Sequence, residues 1–434
     1  MRASSLLGNA FTALLLASSP VTVAAKCYDH WVQIFGTMPQ LVEPANLPNP
    51  PFNGTNVVFK DATLRQTIYV TQPASTIRLQ FSNAFGASDL PITAVSIALP
   101  VSNTSGSASI VPSSLKSVTF SGSPSFTVPN GAVVFSDPIA FPVAAGQILS
   151  VTTYLATGQT TNFITGHPGS RTTSYMVPGN HVEAANLSTV AGVASVDHWY
   201  FISGVDAYLP SKSSALVIVG DSITDGRGST TNGNNRWPDQ LLTRMQASNA
   251  TTAKQVAIIN QAAGGNRVLA DGLGPNALGR IDRDVTAQSG VKYMLVFEGV
   301  NDIGTAAVDP STQSATADRL ISAFRQMVVR VHRYGIAAFG ATITPFSGPG
   351  QTYSDPERER QRQRVNEWIR HSGVFDAVVD FDAAVRDAGN GSQLDARYNS
   401  GDYLHLNPEG YRVMAAAVDL TLFDKFRAGV HDEL

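Results

Sequence analysis

Five apolar residues in a row, Ala215-Leu216-Val217-Ile218-Val219, stop at Gly220-Asp221-Ser222, and this stretch constrains the fold more than any other. A continuous, largely β-branched run of strand length, bounded by glycine and polar residues, suits a strand buried on both faces, and such strands belong to parallel sheets. A parallel sheet presents its ligand groups at the carboxyl ends of its strands, so Ser222 stands where chemistry is placed. The alternative is structural: Gly220 gives a turn its conformational freedom and Ser222 caps a following helix. Only partners elsewhere in the chain distinguish the two.

The pattern of strand then helix repeats after residue 215. Candidate strands are 215–220, 255–261, 291–298, 336–342 and 377–381. The clearest helix is 315–334, where Leu320, Phe324, Met327, Val328 and Val331 recur at helical spacing. Asp355-Pro356-Glu357 and Asn407-Pro408-Glu409 each combine a capping side chain with proline at the first helical position. They predict helices starting there, the second running to about residue 423. This alternation implies an α/β domain, a parallel sheet with helices on both faces.

Residues 28–209 read differently. Segments 76–81, 94–99 and 117–120 alternate polar and apolar, with clusters of Gly, Pro, Ser and Asn between them. That is the pattern of half-buried strands joined by turns, and it predicts an antiparallel β-sandwich. The polar stretch 210–214 separates the two regions. The expected organisation is therefore a leader over 1–25, a β domain over 26–209, an α/β domain over 210–430 and a terminal tetrapeptide over 431–434.

The leader has Arg2, an apolar centre around residues 11–17 and small residues at Val23 and Ala25, as a secretory signal peptide does. No later segment is apolar for long enough to span a bilayer, so a soluble mature protein is expected. Cys27 is the single cysteine and leaves no intrachain disulfide to form, so stability must come from packed core. With 434 residues, 43% of them hydrophobic, the chain can supply it. The net charge of -3 carries no electrostatic footprint for nucleic acid or an anionic membrane. Sequons at Asn53, Asn103, Asn186, Asn249 and Asn390 fit a glycosylated route.

The sequence ends in His431-Asp432-Glu433-Leu434, and an H-D-E-L terminus is a retrieval signal read by a receptor in the endoplasmic reticulum. Leader and terminus together predict residence in that lumen, and without retrieval the protein is secreted. Deleting residues 431–434 should therefore move the protein from cell extract to medium. Equal secretion with and without the tetrapeptide would mark the terminus as accidental.

Three polar stretches fall near strand ends and would gather on one rim with Ser222: Asn260-Gln261-Ala262-Ala263-Gly264-Gly265-Asn266-Arg267, Glu298-Gly299-Val300-Asn301-Asp302, and Asp402-Tyr403-Leu404-His405. A serine hydroxyl is a weak nucleophile until a base takes its proton, and His405 is the best placed imidazole. Asp402, three residues earlier, can reach the far ring nitrogen if the loop turns, fixing the tautomer. Attack on an ester also builds charge on the carbonyl oxygen. The N–H of Ser222, the N–H of Gly265 and the side-chain amide of Asn301 are three donors for it.

Taken together and in this order, Gly220-Asp221-Ser222, Gly265, Gly299-Val300-Asn301-Asp302 and Asp402-x-x-His405 resemble the SGNH hydrolases, also called GDSL-type esterases and lipases. The resemblance covers about residues 215–423. It implies a three-layer α/β/α sandwich of flavodoxin-like kind, with Ser222 as nucleophile, Asp402 and His405 completing a triad, and Ser222, Gly265 and Asn301 as the oxyanion hole. Ile223 stands where the family's short name has leucine, an apolar exchange that leaves the chemistry intact. The second motif is looser, with Gln261-Ala262-Ala263 where a glycine is common.

The resulting expectation is a serine esterase working through an acyl-enzyme, removing acetyl or another acyl group from a carbohydrate. A lipase or lysophospholipase is the second enzyme reading, and an idle glycan-binding protein is the rival from another class. Loss of a triad residue would mark the last, and none is lost. Asn235-Arg236-Trp237-Pro238-Asp239-Gln240 resembles a segment of carbohydrate-directed members, although Trp237 could equally pack at a helix start. No cofactor or metal is expected. The glycine-rich stretches lack the phosphate-loop and dinucleotide signatures, and no His, Cys and carboxylate cluster has ligand spacing. The polar loop 165–175 either reaches the rim, binds sugar or makes a plain contact between domains.

Overall fold

A computed structural model describes residues 28–249 and 252–431. The leader, Cys27 and the last three residues of the H-D-E-L terminus lie outside the described residues; His431 is exposed. Among the described residues no helix is long and apolar enough to cross a membrane.

Five parallel strands form the α/β sheet in the order Val256–Ala262, Ser214–Gly220, Val291–Phe297, Ala337–Ala341, Ala377–Val379. Numbered along the chain this is 2-1-3-4-5, the flavodoxin-like order, whose switch point lies between the first and third strands. The Ser214–Gly220 strand is paired on both sides and buried at every residue, as its unbroken apolar run requires. Its last residue, Gly220, is level with Ala262 on one side and Phe297 on the other. The three polar stretches that follow these strands therefore leave the sheet at one height.

Helices cover the sheet. Trp237–Ala247 packs with Pro408–Ala417, and Pro310–His332 packs with Pro356–His371. Asp309, Asp355 and Asn407 each accept a backbone N–H at a helix start followed by proline. The long helix begins at Pro310, five residues before the expected start at 315. The last predicted helix is broken: it stops at Ala417, and a short helix follows at Leu422–Lys425. Between them the Asp419 carboxylate accepts the Thr421 N–H at 2.9 Å and its hydroxyl at 2.8 Å, a local turn that competes with helix.

The N-terminal region is antiparallel. One sheet orders Ala194–Val196, Ser174–Pro178, Ala62–Tyr69, Ile148–Leu155, Ala94–Ala98 and Lys116–Val118; the other orders His30–Gly36, Ile202–Leu209, Ala74–Ser82 and Val133–Phe135, with Ile139–Val143 also on Ala74–Ser82. Ile77, Leu79 and Phe81 are buried from one face of Ala74–Ser82, the alternation a half-buried strand demands. One continuous cluster of buried apolar side chains runs from these sheets into the parallel one.

Val256–Ala262 is an edge strand of the parallel sheet, and the N-terminal region covers it. The Ile258 N–H donates to the Thr71 hydroxyl at 3.2 Å, and the Gln72 side-chain amide donates to the Val256 carbonyl at 2.9 Å. A small sheet of Gln40–Leu41, Thr165–His167 and Trp199–Tyr200 brings residues of the β region to the carboxyl end of the parallel strands.

Candidate active site

Ser222 opens a one-turn helix, Ser222–Asp225, and the cap of that helix is Asp221, whose carboxylate accepts the Ile223 N–H at 2.9 Å. The capping role open to Ser222 in the sequence thus falls to its neighbour, and its hydroxyl is free for another partner. That partner is His405, with Ser222 Oγ 2.7 Å from Nε2. The other ring nitrogen, Nδ1, faces Asp402 Oδ2 at 2.6 Å.

The loop that carries these two residues is shaped for the contact. Tyr403 adopts a positive φ of 58°, a sparsely populated region for an aromatic residue, and this folds Asp402 back over its successors. Asp402 Oδ1 accepts the N–H groups of Leu404 at 3.0 Å and His405 at 2.8 Å. Partial burial alone would raise the Asp402 carboxyl, but the His405 ring and these two N–H groups outweigh it and hold it well below the usual carboxylate range. Asp402 is therefore ionised at neutral pH and orients the ring with Nδ1–H toward itself, leaving Nε2 as the acceptor beside Ser222.

Gly265 lies in the turn after the second strand with φ 74°, where a side chain would be strained. Asn301 is buried near the start of the helix Val300–Thr305. Its Nδ2 donates to the Asn266 carbonyl at 2.8 Å and its Oδ1 accepts the Tyr353 hydroxyl at 3.0 Å. With one amide N–H engaged, the orientation of the other is set. Asp302 ties the same helix to the same turn, accepting Val268 N–H at 2.8 Å and Leu269 N–H at 2.9 Å. Burial pushes its carboxyl up to about 6, against the pull of those two N–H groups.

Behind the site lies Arg280, fully buried. It donates to the Gln261 carbonyl at 2.6 Å, the Gly220 carbonyl at 3.3 Å, Asn266 Oδ1 at 2.9 Å and Asp284 at 2.9 Å. One guanidinium thus joins the ends of the first two strands to the Asn266 side chain. Burial pushes the Asp221 and Glu298 carboxyls up; the Ile223 N–H opposes the rise in Asp221, repulsion from Asp221 adds to it in Glu298, and Arg280 opposes both.

Ser222, Gly265, Asn301 and His405 line one cleft of about 510 Å³, and Asp402 stands behind His405. The opposite wall comes from the β region: Glu43, Asn46, Arg171 and His198 line the same cleft. The Glu43 carboxylate is pinned by Gln40 Nε2 at 2.6 Å and Asn46 Nδ2 at 3.0 Å. Glu43 also borders a larger apolar groove of about 900 Å³ walled by Leu41, Phe85 and Phe163. The loop 165–175 does two of the things open to it, since Arg171 reaches the cleft and His167 Nε2 contacts Asp225 Oδ1 at 2.9 Å.

Trp237 is not at the site. It is wholly buried, donates to the Thr224 hydroxyl at 3.1 Å and meets the Phe381 ring edge-on, so it packs a helix start instead of facing a sugar. Tyr353, Arg280, Asp225 and Glu43 carry no motif that singles them out in the sequence, and Asn266 stands there only as one member of the polar stretch 260–267. The nearest to a signal is the i, i+4 pairing of Arg280 with Asp284. Among the described residues no group of three or more His, Cys, Asp or Glu side chains is placed to hold a metal ion.

Residues 218–413 match the model of the GDSL-like Lipase/Acylhydrolase family. No curated protein matches the chain. Among solved structures, the chain is similar to a GDSL-like lipase from Bacteroides thetaiotaomicron, at 17% identity over 49% of this chain and 88% of that one, with a TM-score of 0.35. It is also similar to an acetylxylan esterase from Geobacillus stearothermophilus, at 21% identity over 47% of this chain and 93% of that one, again with a TM-score of 0.35. Likenesses this weak carry no weight for activity. The family match and the motifs inside it identify the C-terminal part of this chain as a GDSL/SGNH-type hydrolase domain, preceded by an antiparallel β-rich region.

Proposed function

We propose that the protein is a carboxylic ester hydrolase whose substrate is an acylated carbohydrate. The observation that carries the reading is the relay Ser222 to His405 to Asp402, at 2.7 and 2.6 Å, opening on the cleft that also holds Gly265 and Asn301. Ser222 Oγ attacks the ester carbonyl carbon while His405 Nε2 takes its proton. The carbonyl oxygen, now anionic, is received by the N–H groups of Ser222 and Gly265 and the amide of Asn301. Collapse expels the alcohol, which takes the proton from His405, and leaves an acyl-serine. Water then attacks the acyl carbon, His405 again takes a proton, and the acid departs as that proton returns to Ser222.

A polyhydroxyl alcohol is favoured by the facing wall, where Glu43, Asn46, Arg171 and His198 offer donors and acceptors at the mouth. A second reading, in which a longer acyl chain is removed, is favoured by the apolar groove across Glu43. A panel of p-nitrophenyl esters of increasing chain length, beside acetylated polysaccharides, separates them. The acetate is expected to give the highest kcat/KM, with acetate released from the polysaccharides. A kcat/KM that climbs steadily with chain length would favour the second reading, and failure to cleave any ester would overturn both.

A further inference from the structure

The contact between His167 and Asp225 joins the two regions of the chain at the site. His167 ends the strand Thr165–His167 of the β region, while Asp225 ends the one-turn helix that begins with Ser222. Both are buried, at 3% and 1% exposure, where an unpaired charge would be costly. His167 Nε2 lies 2.9 Å from Asp225 Oδ1 and Nδ1 lies 3.0 Å from the Met38 carbonyl oxygen. A carbonyl can only accept, so Nδ1 carries a hydrogen. Neutral imidazole would then turn a lone pair toward the carboxylate. A proton must therefore sit between Nε2 and Oδ1, whichever atom holds it, and this makes the contact strong and directional.

The ring has little freedom to leave. It stacks on Trp199 with centroids 6.0 Å apart and planes 29° apart, and the Trp199 indole is itself held by the Thr67 carbonyl at 3.0 Å. On the far side of the carboxylate, Gly169 passes so close that a Cβ built there would stand 1.7 Å from Asp225 Oδ2. The second carboxylate oxygen has its own task, accepting the Gly264 N–H at 3.1 Å. Gly264 directly precedes Gly265, and both line the cleft. A line of contacts thus runs from the Met38 carbonyl through His167 and Asp225 to the turn that bears the oxyanion donor.

We infer that His167 is a positioning residue for ester hydrolysis: acting through Asp225, it holds the Gly264-Gly265 turn in the orientation that serves the oxyanion. The antiparallel region is then a working part of the hydrolase, not an appended module. The inference rests on the esterase reading with Gly265 as a donor. An oxyanion donor matters most as charge develops, so its displacement lowers turnover more than ground-state binding.

The experiment uses the full chain and p-nitrophenyl acetate. His167→Ala should lower kcat on the order of 10- to 100-fold with KM changed less than about threefold. His167→Gln, whose amide can still donate to Asp225, should recover most of the loss. In an Asp225→Asn background, His167→Ala should add little, because both act along one path. Thr173→Val removes the hydroxyl that accepts from Asn232 Nδ2 at 3.0 Å across the same boundary and should leave kcat near wild type. A merely structural His167 would instead lower the melting temperature in the manner of Thr173→Val and leave kcat alone. A His167→Ala enzyme with kcat within twofold of wild type overturns the inference, as does a His167→Gln enzyme that folds but recovers nothing. A wild-type protein that hydrolyses no ester overturns the esterase reading itself, and this inference with it.

Discussion

Ser222→Ala is expected to abolish ester hydrolysis, with kcat lower by on the order of 10⁴-fold or more while the protein stays folded. The fold should survive because Asp221 caps the helix that Ser222 opens, so removing Oγ takes away no backbone partner. What disappears is the hydroxyl placed 2.7 Å from the His405 ring. His405→Ala should cost about as much, since nucleophile and base act as a unit and losing either stops acylation. Asp402→Asn should be damaging too, yet leave more activity, because Ser222 and His405 remain while the ring loses its fixed tautomer. Steady-state turnover of p-nitrophenyl acetate with a thermal melt on each variant gives the answer. Wild-type turnover in Ser222→Ala would remove the mechanism altogether.

Asn301→Ala is expected to lower kcat by on the order of 10²-fold or more, with little change in KM. The amide has two relations to keep apart. Its side chain receives the Tyr353 hydroxyl and bonds the Asn266 carbonyl, so truncation strands two polar groups and should reduce stability by about 1–3 kcal/mol. Asn301 lines the cleft, and on the proposed mechanism the loss of its remaining N–H donor falls on turnover. Asn301→Asp separates these effects, because it preserves the shape and an acceptor for Tyr353 but replaces the donor with a charge that repels an oxyanion. It should match the alanine variant in kcat or fall below it. An effect confined to KM in both variants would make Asn301 a substrate-binding residue and no part of the oxyanion site.

Much of the α/β half was legible because its signals are local. The run 215–219 suited a doubly covered strand, and proline after a capping Asp or Asn fixed two helix starts to the residue. Parallel register then did the rest: with Gly220, Ala262 and Phe297 level, residues just past each strand end had to meet. The break after Ala417 was hidden because the Asp419 turn competes with a helical pattern that continues through it. The supporting residues were invisible for a different reason. His167 and Asp225 are 58 positions apart, and Tyr353 and Asn301 are 52. Neither pair has a spacing that a local pattern predicts: His167 and Asp225 meet only because the two regions dock, and Tyr353 reaches Asn301 from a loop of the α/β region itself. Trp237 was open to two readings, since a tryptophan at a helix start reads the same whether its ring faces a ligand or, as here, the core.

The covering of the Val256–Ala262 strand has a consequence for how this protein can exist at all. Left bare, an apolar strand with unpaired N–H and C=O groups is a template onto which another chain can add. Here the Thr71 hydroxyl accepts the Ile258 N–H and the Gln72 amide donates to the Val256 carbonyl, side-chain contacts that engage the edge without offering a further strand to pair with. The antiparallel region therefore does for the hydrolase sheet what a dedicated chaperone does for an unassembled subunit: it denies the edge to other molecules. A hydrolase domain cut free at residue 210 would expose that edge and the apolar surface beneath it together, and self-association would compete with any refolding to a monomer.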